Sequence, residues 1–272
     1  MGRLVLKSQH RLLCGDSTNA EHVARLFDGS KAALLFTSPP YAQQRDYGAA
    51  KPQVQDWDRL MQGVFANVEQ IAEPAIQILV NLGLVHRDGE WQPYWEQWIE
   101  WMRSRGWRRF GWYVWDQGPG LPGDWNGRFA PSHEFVFHFN HESTHPSKTI
   151  QCKHAGQLLG GTGLRSADGG LSKKTGDGQP IQDMRIPDSV CRSSRSAGGL
   201  HPAMFSSGFA EYFITAWWGA VYEPFGGSGT VLVVCEQLKR ESFTMEIDPA
   251  YCDVAISRWE NLTGKKAVLW EG

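Results

Sequence analysis

A strand, a glycine-rich turn and a helix follow one another over residues 221–238. Residues 221–225 predict a strand, Gly226-Gly227-Ser228-Gly229-Thr230 forms the turn, and the helix continues to Leu238. Glycines let the backbone approach a bound molecule closely, and the start of a helix offers unpaired N–H groups. Glu246 follows the next strand about twenty residues later, where its carboxylate can accept hydrogen bonds from ribose hydroxyls. The pattern predicts a nucleotide-like cofactor; a tight turn without a ligand is the alternative.

A second motif, Thr37-Ser38-Pro39-Pro40-Tyr41, follows the apolar run Ala32–Phe36. Such a run is typical of a strand buried on both faces of a parallel sheet, and ligands bind at the carboxyl ends of these strands. Proline cannot continue a central strand, so the chain turns here and leaves carbonyl groups without ladder partners. A hydroxyl, a free carbonyl and an aromatic ring together match an exocyclic amino group on a nucleic acid base. A kinked strand exit without a ligand is the alternative interpretation.

Strand and helix patterns alternate along most of the chain, which predicts an α/β fold with a mostly parallel sheet of about seven strands. The predicted strands are residues 11–14, 32–36, 76–80, 111–115, 133–139, 221–225 and 242–247. The predicted helices are 18–27, which a Thr18–Glu21 capping box opens, 56–72, 93–105, 212–218, 230–238 and the helix from the N-cap Asp248 to Gly264. Helix 93–105 carries several tryptophans on one face, which we interpret as core packing rather than a base-stacking platform.

Residues 141–200 differ in composition from the rest of the chain. They hold eight basic and five acidic side chains, whereas the net charge of the whole chain is −2, and they are rich in glycine and serine. This pattern predicts a loop-rich insertion between catalytic parts at 1–140 and 201–272. Its basic side chains, including Lys173, Lys174, Arg192 and Arg195, predict contacts with DNA phosphates. A solvated surface loop is the alternative.

Other patterns exclude whole classes of protein. Five scattered cysteines without a C-x-x-C pair predict neither a zinc site nor a disulfide framework. The longest nearly apolar stretch, residues 75–85, is too short for a membrane span, and no secretory signal is recognisable, so we expect a cytoplasmic protein. The sequence contains no P-loop motif, and a nicotinamide enzyme would leave the Thr37–Tyr41 motif without a role.

These motifs together resemble the S-adenosylmethionine-dependent DNA amino-methyltransferases of the β class, and phage-type solitary modification methylases among them. The resemblance covers nearly the whole chain apart from residues 141–200. It includes Cys14-Gly15-Asp16, Thr37–Tyr41, His201–Phe205, Glu223–Thr230 and Glu246–Asp248, in that order. The order implies a circularly permuted Rossmann-like fold with a target-recognition region at 141–200. Two positions depart from the usual pattern, since Glu223 replaces an aspartate and Ser38 replaces the aspartate common in adenine enzymes.

The resemblance also implies which residues form the site. Those implied in catalysis are Ser38, Pro39, Pro40 and Tyr41, with Ser38 and the Pro39 carbonyl accepting the amine hydrogens and Tyr41 stacking on the base. Those implied in binding S-adenosylmethionine are Asp16, Thr37, His201, Glu223, Phe225, Gly226, Gly227, Ser228, Gly229, Thr230 and Glu246. No metal ligand is implied, and no residue is identified as a general base.

The predicted function is methylation of adenine N6 in double-stranded DNA, with the target base flipped out of the helix. Cytosine N4 is the first alternative, and a methyltransferase acting on RNA or a protein amide is the second. An inactive DNA-binding regulator would keep the fold without binding the cofactor. The aromatic residues between Trp91 and Trp115 predict a homodimer, because they exceed what one core needs. The resemblance also allows a partner restriction nuclease.

Overall fold

The computed structural model describes residues 3–5, 10–41, 54–120, 122–158, 170, 178–195 and 205–270. The strands are β1 (Arg3–Val5), β2 (His10–Cys14), β3 (Ala32–Thr37), β4 (Ala72–Leu82), β5 (Val85–Arg87), β6 (Glu90–Gln92), β7 (Arg108–Asp116), β8 (His133–Asn140), β9 (Ile150–Gln151), β10 (Met184–Arg185), β11 (Val190–Arg192), β12 (Val221–Glu223), β13 (Ser242–Glu246) and β14 (Leu269–Trp270). The helices are α1 (Ala20–Phe27), α2 (Val54–Ile71), α3 (Glu96–Ser104), α4 (Ser207–Ile214), α5 (Thr230–Gln237) and α6 (Pro249–Thr263).

Ten of the described strands form one sheet in the order β11-β7-β8-β4-β3-β12-β13-β2-β1-β14. The central strands β4, β3, β12, β13 and β2 run parallel to one another. β8 is antiparallel to both β4 and β7, and β1 is antiparallel to β2 and β14. The predicted α/β fold with a mostly parallel sheet is confirmed. The pairing of β13 with β2 joins the two ends of the chain in one sheet, as a circular permutation requires.

All seven predicted strands lie in this sheet. Among the described residues the sheet also contains three strands that were not predicted. The additional strands are β1, β11 and β14, at the two edges. Each has two or three residues. A run this short carries no alternation that a sequence pattern could reveal, so it forms only because a longer neighbour offers free backbone groups.

Helices cover both faces of the sheet, and the side chains of β3 pack against the helices on both faces. Leu35 packs into a core with α1, α2 and α3, whereas Leu34 and Phe36 pack against α4 and α5 on the opposite face. All three side chains are fully buried. The apolar run 32–36 is therefore continuous because successive side chains enter two different cores, as predicted for a central parallel strand.

The tryptophan-rich helix α3 packs into the core. Trp98 is fully buried, and its ring lies 5.3 Å from Phe139 and 6.0 Å from Trp57 between centroids. The interpretation of this face as core packing is confirmed. Trp91 and Trp112 lie elsewhere and keep 55% and 61% of their surface exposed.

Three of the predicted helices have wrong boundaries. Asn19, not Thr18, caps α1, because its side chain accepts the N–H groups of the first turn while the Thr18 hydroxyl donates to Asp16. Helix α3 begins at Glu96, three residues after Pro93, and α4 spans Ser207–Ile214 rather than 212–218 because Ser206 caps it. The predicted caps of α6 are confirmed, with Asp248 at its start and Gly264 at its end.

The chain divides into two compact units. Residues 146–188 form the smaller one, which contains the antiparallel pair β9–β10. β11 falls within the predicted insertion 141–200, yet it pairs with β7 in the main sheet of the larger unit. No helix in the described ranges is long and apolar enough to cross a membrane. The described residues also contain no group of three or more His, Cys, Asp or Glu side chains that could hold a metal ion.

Candidate active site

The two predicted motifs meet where neighbouring parallel strands end. Thr37 is the last residue of β3, Glu223 is the last residue of β12, and these strands pair side by side. The Thr37 hydroxyl donates a hydrogen bond to Glu223 Oε1, and both side chains are buried. One side-chain hydrogen bond therefore joins the Thr37–Tyr41 segment to the glycine-rich turn.

Glu223 is a buried acid at the centre of this arrangement. Its Oε1 accepts hydrogen bonds from the Thr37 hydroxyl and from the backbone N–H of Phe225, the latter at 3.0 Å. Burial raises the pKa of Glu223 to about 8, because the surrounding protein solvates the charged form poorly. The two hydrogen bonds act in the opposite direction, whereas the nearby Glu246 raises the pKa further. A carboxyl group with this pKa exchanges its proton near neutral pH, which is typical of functional sites.

Helix α6 holds the glycine-rich turn in place. Gly229 has a φ of 77°, and a Cβ at this position would lie 2.6 Å from Ala255 Cβ on α6. Both the left-handed backbone and the close approach require glycine here. Arg258, also on α6, donates from Nη1 to Ser228 O at 2.7 Å and to Ser228 Oγ at 3.0 Å. Contacts with α6 therefore fix the shape of the turn.

Glu246 is the last residue of β13 and Asp16 lies just after β2, and these two strands come next along the same edge. Glu246 Oε2 accepts the N–H of Gly227 at 2.6 Å, and its Oε1 accepts the N–H of Asp248 at 2.9 Å. Burial raises the pKa of Glu246. Asp16 Oδ1 accepts both the N–H and the hydroxyl of Thr18 at 2.8 Å. A carboxylate has about four acceptor positions, so both groups can accept further hydrogen bonds.

Four polar side chains converge beside the Thr37–Tyr41 motif. The Tyr41 hydroxyl donates to Glu134 Oε2 at 2.6 Å and accepts from Asn81 Nδ2 at 2.8 Å. Asn81 Nδ2 also lies 2.6 Å from Glu134 Oε2. Ser38 Oγ lies 3.4 Å from both the Tyr41 hydroxyl and Asn81 Nδ2. Asn81 comes from the end of β4 and Glu134 from the start of β8, so three adjacent strands supply the network.

The ring of Tyr41 packs inside the protein. Only 4% of its surface is exposed, and a Cβ at Gly83 would lie 2.8 Å from Tyr41 Cε2. Burial and the nearby Glu134 raise the pKa of Tyr41, so the hydroxyl keeps its proton. The Pro40 carbonyl accepts the indole N–H of Trp57 at 2.7 Å, which fixes the direction of the Pro-Pro segment. Stacking of Tyr41 on a base stays a prediction.

Two of the predicted DNA contacts lie beside β7 in the main sheet. Arg195 Nε donates to Gln117 Oε1 at 2.7 Å, and its Nη2 donates to Pro131 O at 2.9 Å. Arg192 Nε lies 3.9 Å from Asp116 Oδ2, and 70% of the Arg192 side chain is exposed. Arg192 is thus the more accessible of the two. The predicted residues Lys173, Lys174 and His201 lie outside the described residues.

Sequence reasoning missed three residues of the site, namely Asn81, Glu134 and Arg258. Asn81 ends an apolar run, and a polar residue at the carboxyl end of a buried strand is a signal that could have identified it. Glu134 and Arg258 look like ordinary surface residues in a strand and a helix. Only the three-dimensional arrangement assigns them to the site.

The sequence that forms this site matches a known protein family. The model of a family described as DNA methylase, with N6 and N4 methyltransferases in its name, matches residues 32–257. The chain belongs to the DNA methylase family. Membership confirms the predicted relationship to the amino-methyltransferases and S-adenosylmethionine as the cofactor of this methylase.

Individual relatives agree with this family. The methylase is 23% identical to the type II methyltransferase M.Cfr9I of Citrobacter freundii, over 88% of this chain and 85% of the relative. It is similar in structure to the cytosine-N4-specific PvuII DNA methyltransferase, with a TM-score of 0.65, 20% identity and coverage of 95% and 92%. The crystal structure of the M1.HpyAVI–SAM complex matches with a TM-score of 0.62, 15% identity and coverage of 92% and 98%. At these identities the two solved structures support the fold.

Proposed function

We propose that this methylase transfers a methyl group from S-adenosylmethionine to adenine N6 in double-stranded DNA. The observation that carries the methyl-transfer chemistry is the hydrogen bond between Thr37 and Glu223, which joins the ends of the two strands that lead into the predicted catalytic motif and the predicted cofactor turn. The choice of adenine rests on the resemblance to phage-type solitary modification methylases. Cytosine N4 is the second candidate. It is favoured by Ser38 in the motif and by the likeness to a cytosine-N4-specific enzyme.

The residues at the edge of the sheet fit the proposed cofactor. S-adenosylmethionine carries a positively charged amino group and sulfonium, and the site offers the buried carboxyl group of Glu223 and the partly buried one of Glu246. Opposite charges favour the ionised form of a buried acid, so binding repays part of the burial cost. Glu246 would accept the ribose hydroxyls, and the turn 226–230 would lie against the methionine part. The cofactor supplies an electrophilic methyl group.

The chain's own residues would hold the target amine. A base inside a duplex is out of reach, so the target is flipped into the site. Ser38 Oγ and the Pro39 carbonyl would accept the two N–H groups, which directs the nitrogen lone pair towards the methyl group. No covalent enzyme intermediate is needed, because the amine is itself the nucleophile. The contribution of the protein is mainly positioning.

DNA recognition and partners are part of the same proposal. The segment 141–200 would contact the DNA, with phosphates neutralised by exposed basic side chains such as Arg192. Arg195 would instead stabilise the edge of the sheet, since two of its hydrogen bonds go to neighbouring loops. A homodimer that acts on DNA in the cytoplasm, with or without a partner nuclease, completes the proposal.

Nucleoside mass spectrometry of DNA treated with the protein and S-adenosylmethionine tests this function. N6-methyladenine supports the proposal, and N4-methylcytosine selects the second candidate with the same chemistry. If the protein binds the cofactor but methylates neither base, the proposal fails in favour of RNA or a protein amide. The variant Ser38→Ala is the control, since it should bind the cofactor as tightly as the wild type and lose most turnover.

A further inference from the structure

The network around Tyr41 contains a carboxylate that neither sequence motif includes. Glu134 Oε2 receives two short contacts, one from the Tyr41 hydroxyl and one from Asn81 Nδ2, each at 2.6 Å. Both donors approach the same oxygen, so this oxygen acts as the acceptor in both contacts. The carboxylate therefore fixes where the neighbouring protons point.

The hydrogen positions of the network follow from this acceptor. The amide of Asn81 must turn its NH₂ group towards Glu134, because the opposite orientation would bring two acceptors together. Tyr41 has a single O–H, and it donates that hydrogen to Glu134. Towards every other neighbour the Tyr41 oxygen can only accept.

The donor in the hydrogen bond between Ser38 and Tyr41 is determined in the same way. Ser38 Oγ lies 3.4 Å from the Tyr41 hydroxyl, and in this pair only Ser38 can donate. Its hydrogen then points towards Tyr41. Asn81 Nδ2 donates to Ser38 Oγ at 3.4 Å, and the second lone pair of this oxygen can accept a hydrogen bond from a substrate. An incoming amino group offers N–H donors, so a serine with its own hydrogen turned away is the arrangement that this substrate needs.

We propose that Glu134 is a positioning residue for methyl transfer, acting through Tyr41 to present Ser38 as a hydrogen-bond acceptor to the target amine. The inference rests on the proposed function and names a residue for it. Glu134 need not touch the substrate. Its carboxylate sets the direction of the hydrogen bonds from Ser38 to Tyr41 to Glu134.

The variant Glu134→Gln tests the carboxylate without changing its shape. An amide can turn its NH₂ group towards Tyr41 and reverse the network, so kcat for DNA methylation should fall about 10- to 100-fold. The dissociation constant for S-adenosylmethionine and the melting temperature should stay at the wild-type values. Glu134→Asp keeps the charge and should recover part of the lost kcat. Glu73→Gln is the matched control, because Glu73 is exposed at the opposite end of β4 and should leave kcat unchanged.

A double-mutant cycle with Tyr41→Phe tests the route through Tyr41. If Glu134 acts through the tyrosine hydroxyl, Glu134→Gln should lower kcat little further once that hydroxyl is absent. Independent effects that multiply in the double variant would overturn the inference, as would wild-type kcat in Glu134→Gln. A fall in melting temperature and cofactor affinity that accounts for the lost activity would overturn it as well. The wild-type protein separates these outcomes from failure of the proposed function, which would appear as no methylated base at all.

Discussion

At the scale of single residues, we expect Glu223 to couple cofactor binding to pH. Its pKa of about 8 means that the free protein holds this carboxyl group mostly protonated at neutral pH. A positively charged ligand favours the ionised form, so binding below pH 8 releases a proton and becomes tighter as the pH rises. Between pH 6 and 7.5 we expect the affinity for S-adenosylmethionine to rise by up to about tenfold per pH unit.

Calorimetry across this pH range checks the prediction, with Glu223→Gln as the comparison. The glutamine keeps an oxygen for the Thr37 hydroxyl but cannot titrate, so its affinity should vary much less with pH. Equal pH dependence in the two proteins would show that another group is responsible.

The residues of the site differ in how far the sequence could reveal them. Ser38 and Tyr41 lie in one continuous motif, and Glu246 follows a strand at a recognisable distance from the glycine-rich turn. Asn81 and Glu134 come from β4 and β8, which lie next to the motif only because of the order of strands in the sheet. A pattern along the chain can mark Asn81 as the polar residue at the end of a buried strand, but it contains no information about which strands lie side by side. Their role depends on pairing between segments far apart in sequence.

At the scale of elements, the pairing of β4, β8 and β7 buries His138. Its Nδ1 faces the Tyr113 hydroxyl at 2.9 Å and its Nε2 faces Gln77 Oε1 at 2.9 Å. Burial lowers the pKa of His138 from 6.5 to about 3, so the folded protein keeps this ring neutral. The unfolded chain takes up a proton below pH 6.5. Stability is therefore complete above that pH and is lost as the pH falls towards 3.

Because only the unfolded chain protonates this ring, we expect His138 to lower the free energy of unfolding by about 2 kcal/mol when the pH falls from 7.5 to 5. Urea denaturation at both pH values checks it, and His138→Gln should lose correspondingly less stability over this interval. His133→Gln, an exposed position on the same strand, is the matched control and should behave like the wild type. Burial also lowers the pKa of His10, so His10 likewise lowers the free energy of unfolding as the pH falls. This contribution is present in all three proteins and cancels when they are compared. A wild-type response in His138→Gln would contradict the assignment.

A second prediction at this scale is that the segment 141–200 contacts DNA phosphates. Each phosphate contact contributes about 0.9 to the slope of log affinity against log salt. Replacing Lys173, Lys174 and Arg192 by glutamine should weaken DNA binding and lower this slope by up to about 3. Lys31→Gln is the control, because Lys31 precedes β3 at the end of the strand away from the site. Fluorescence anisotropy at several salt concentrations measures the slope, and an unchanged slope would favour a solvated surface loop.

Element boundaries were predictable where the signal was local. The N-cap Asp248, Pro249 and the terminal Gly264 determine α6 through their own side chains and backbone, and the helix lies where these residues predict it. Helix α4 was shifted because Ser206 caps it, whereas the apolar pattern 212–218 continues past its end at Ile214. Residues 216 and 217 are buried but not helical. Their apolar side chains therefore extended the predicted helix beyond its real end.

At the scale of the whole molecule, exposed aromatic rings predict self-association. Trp112 on β7 is 61% exposed, and Trp91 on β6 is 55% exposed, although most of the large apolar side chains that the structure describes are buried. Large exposed rings of this kind are typical of interfaces. We expect a homodimer in which these tryptophans are buried, with a mass of about twice the 30.6 kDa of the chain.

Analytical ultracentrifugation at micromolar protein tests the dimer. Trp112→Glu should shift the protein towards the monomer, because the charge would have to leave water at the interface, and such a cost is several-fold larger than the lost contact. The Trp112 ring also packs 5.3 Å from Phe135 within the same chain, so the melting temperature of the variant must be measured as well. The variant Trp218→Glu is the matched control, since Trp218 is 74% exposed and lies outside the 91–115 region. A wild-type protein that sediments only as a monomer would contradict the prediction, as would a Trp112→Glu dimer as stable as that of the wild type.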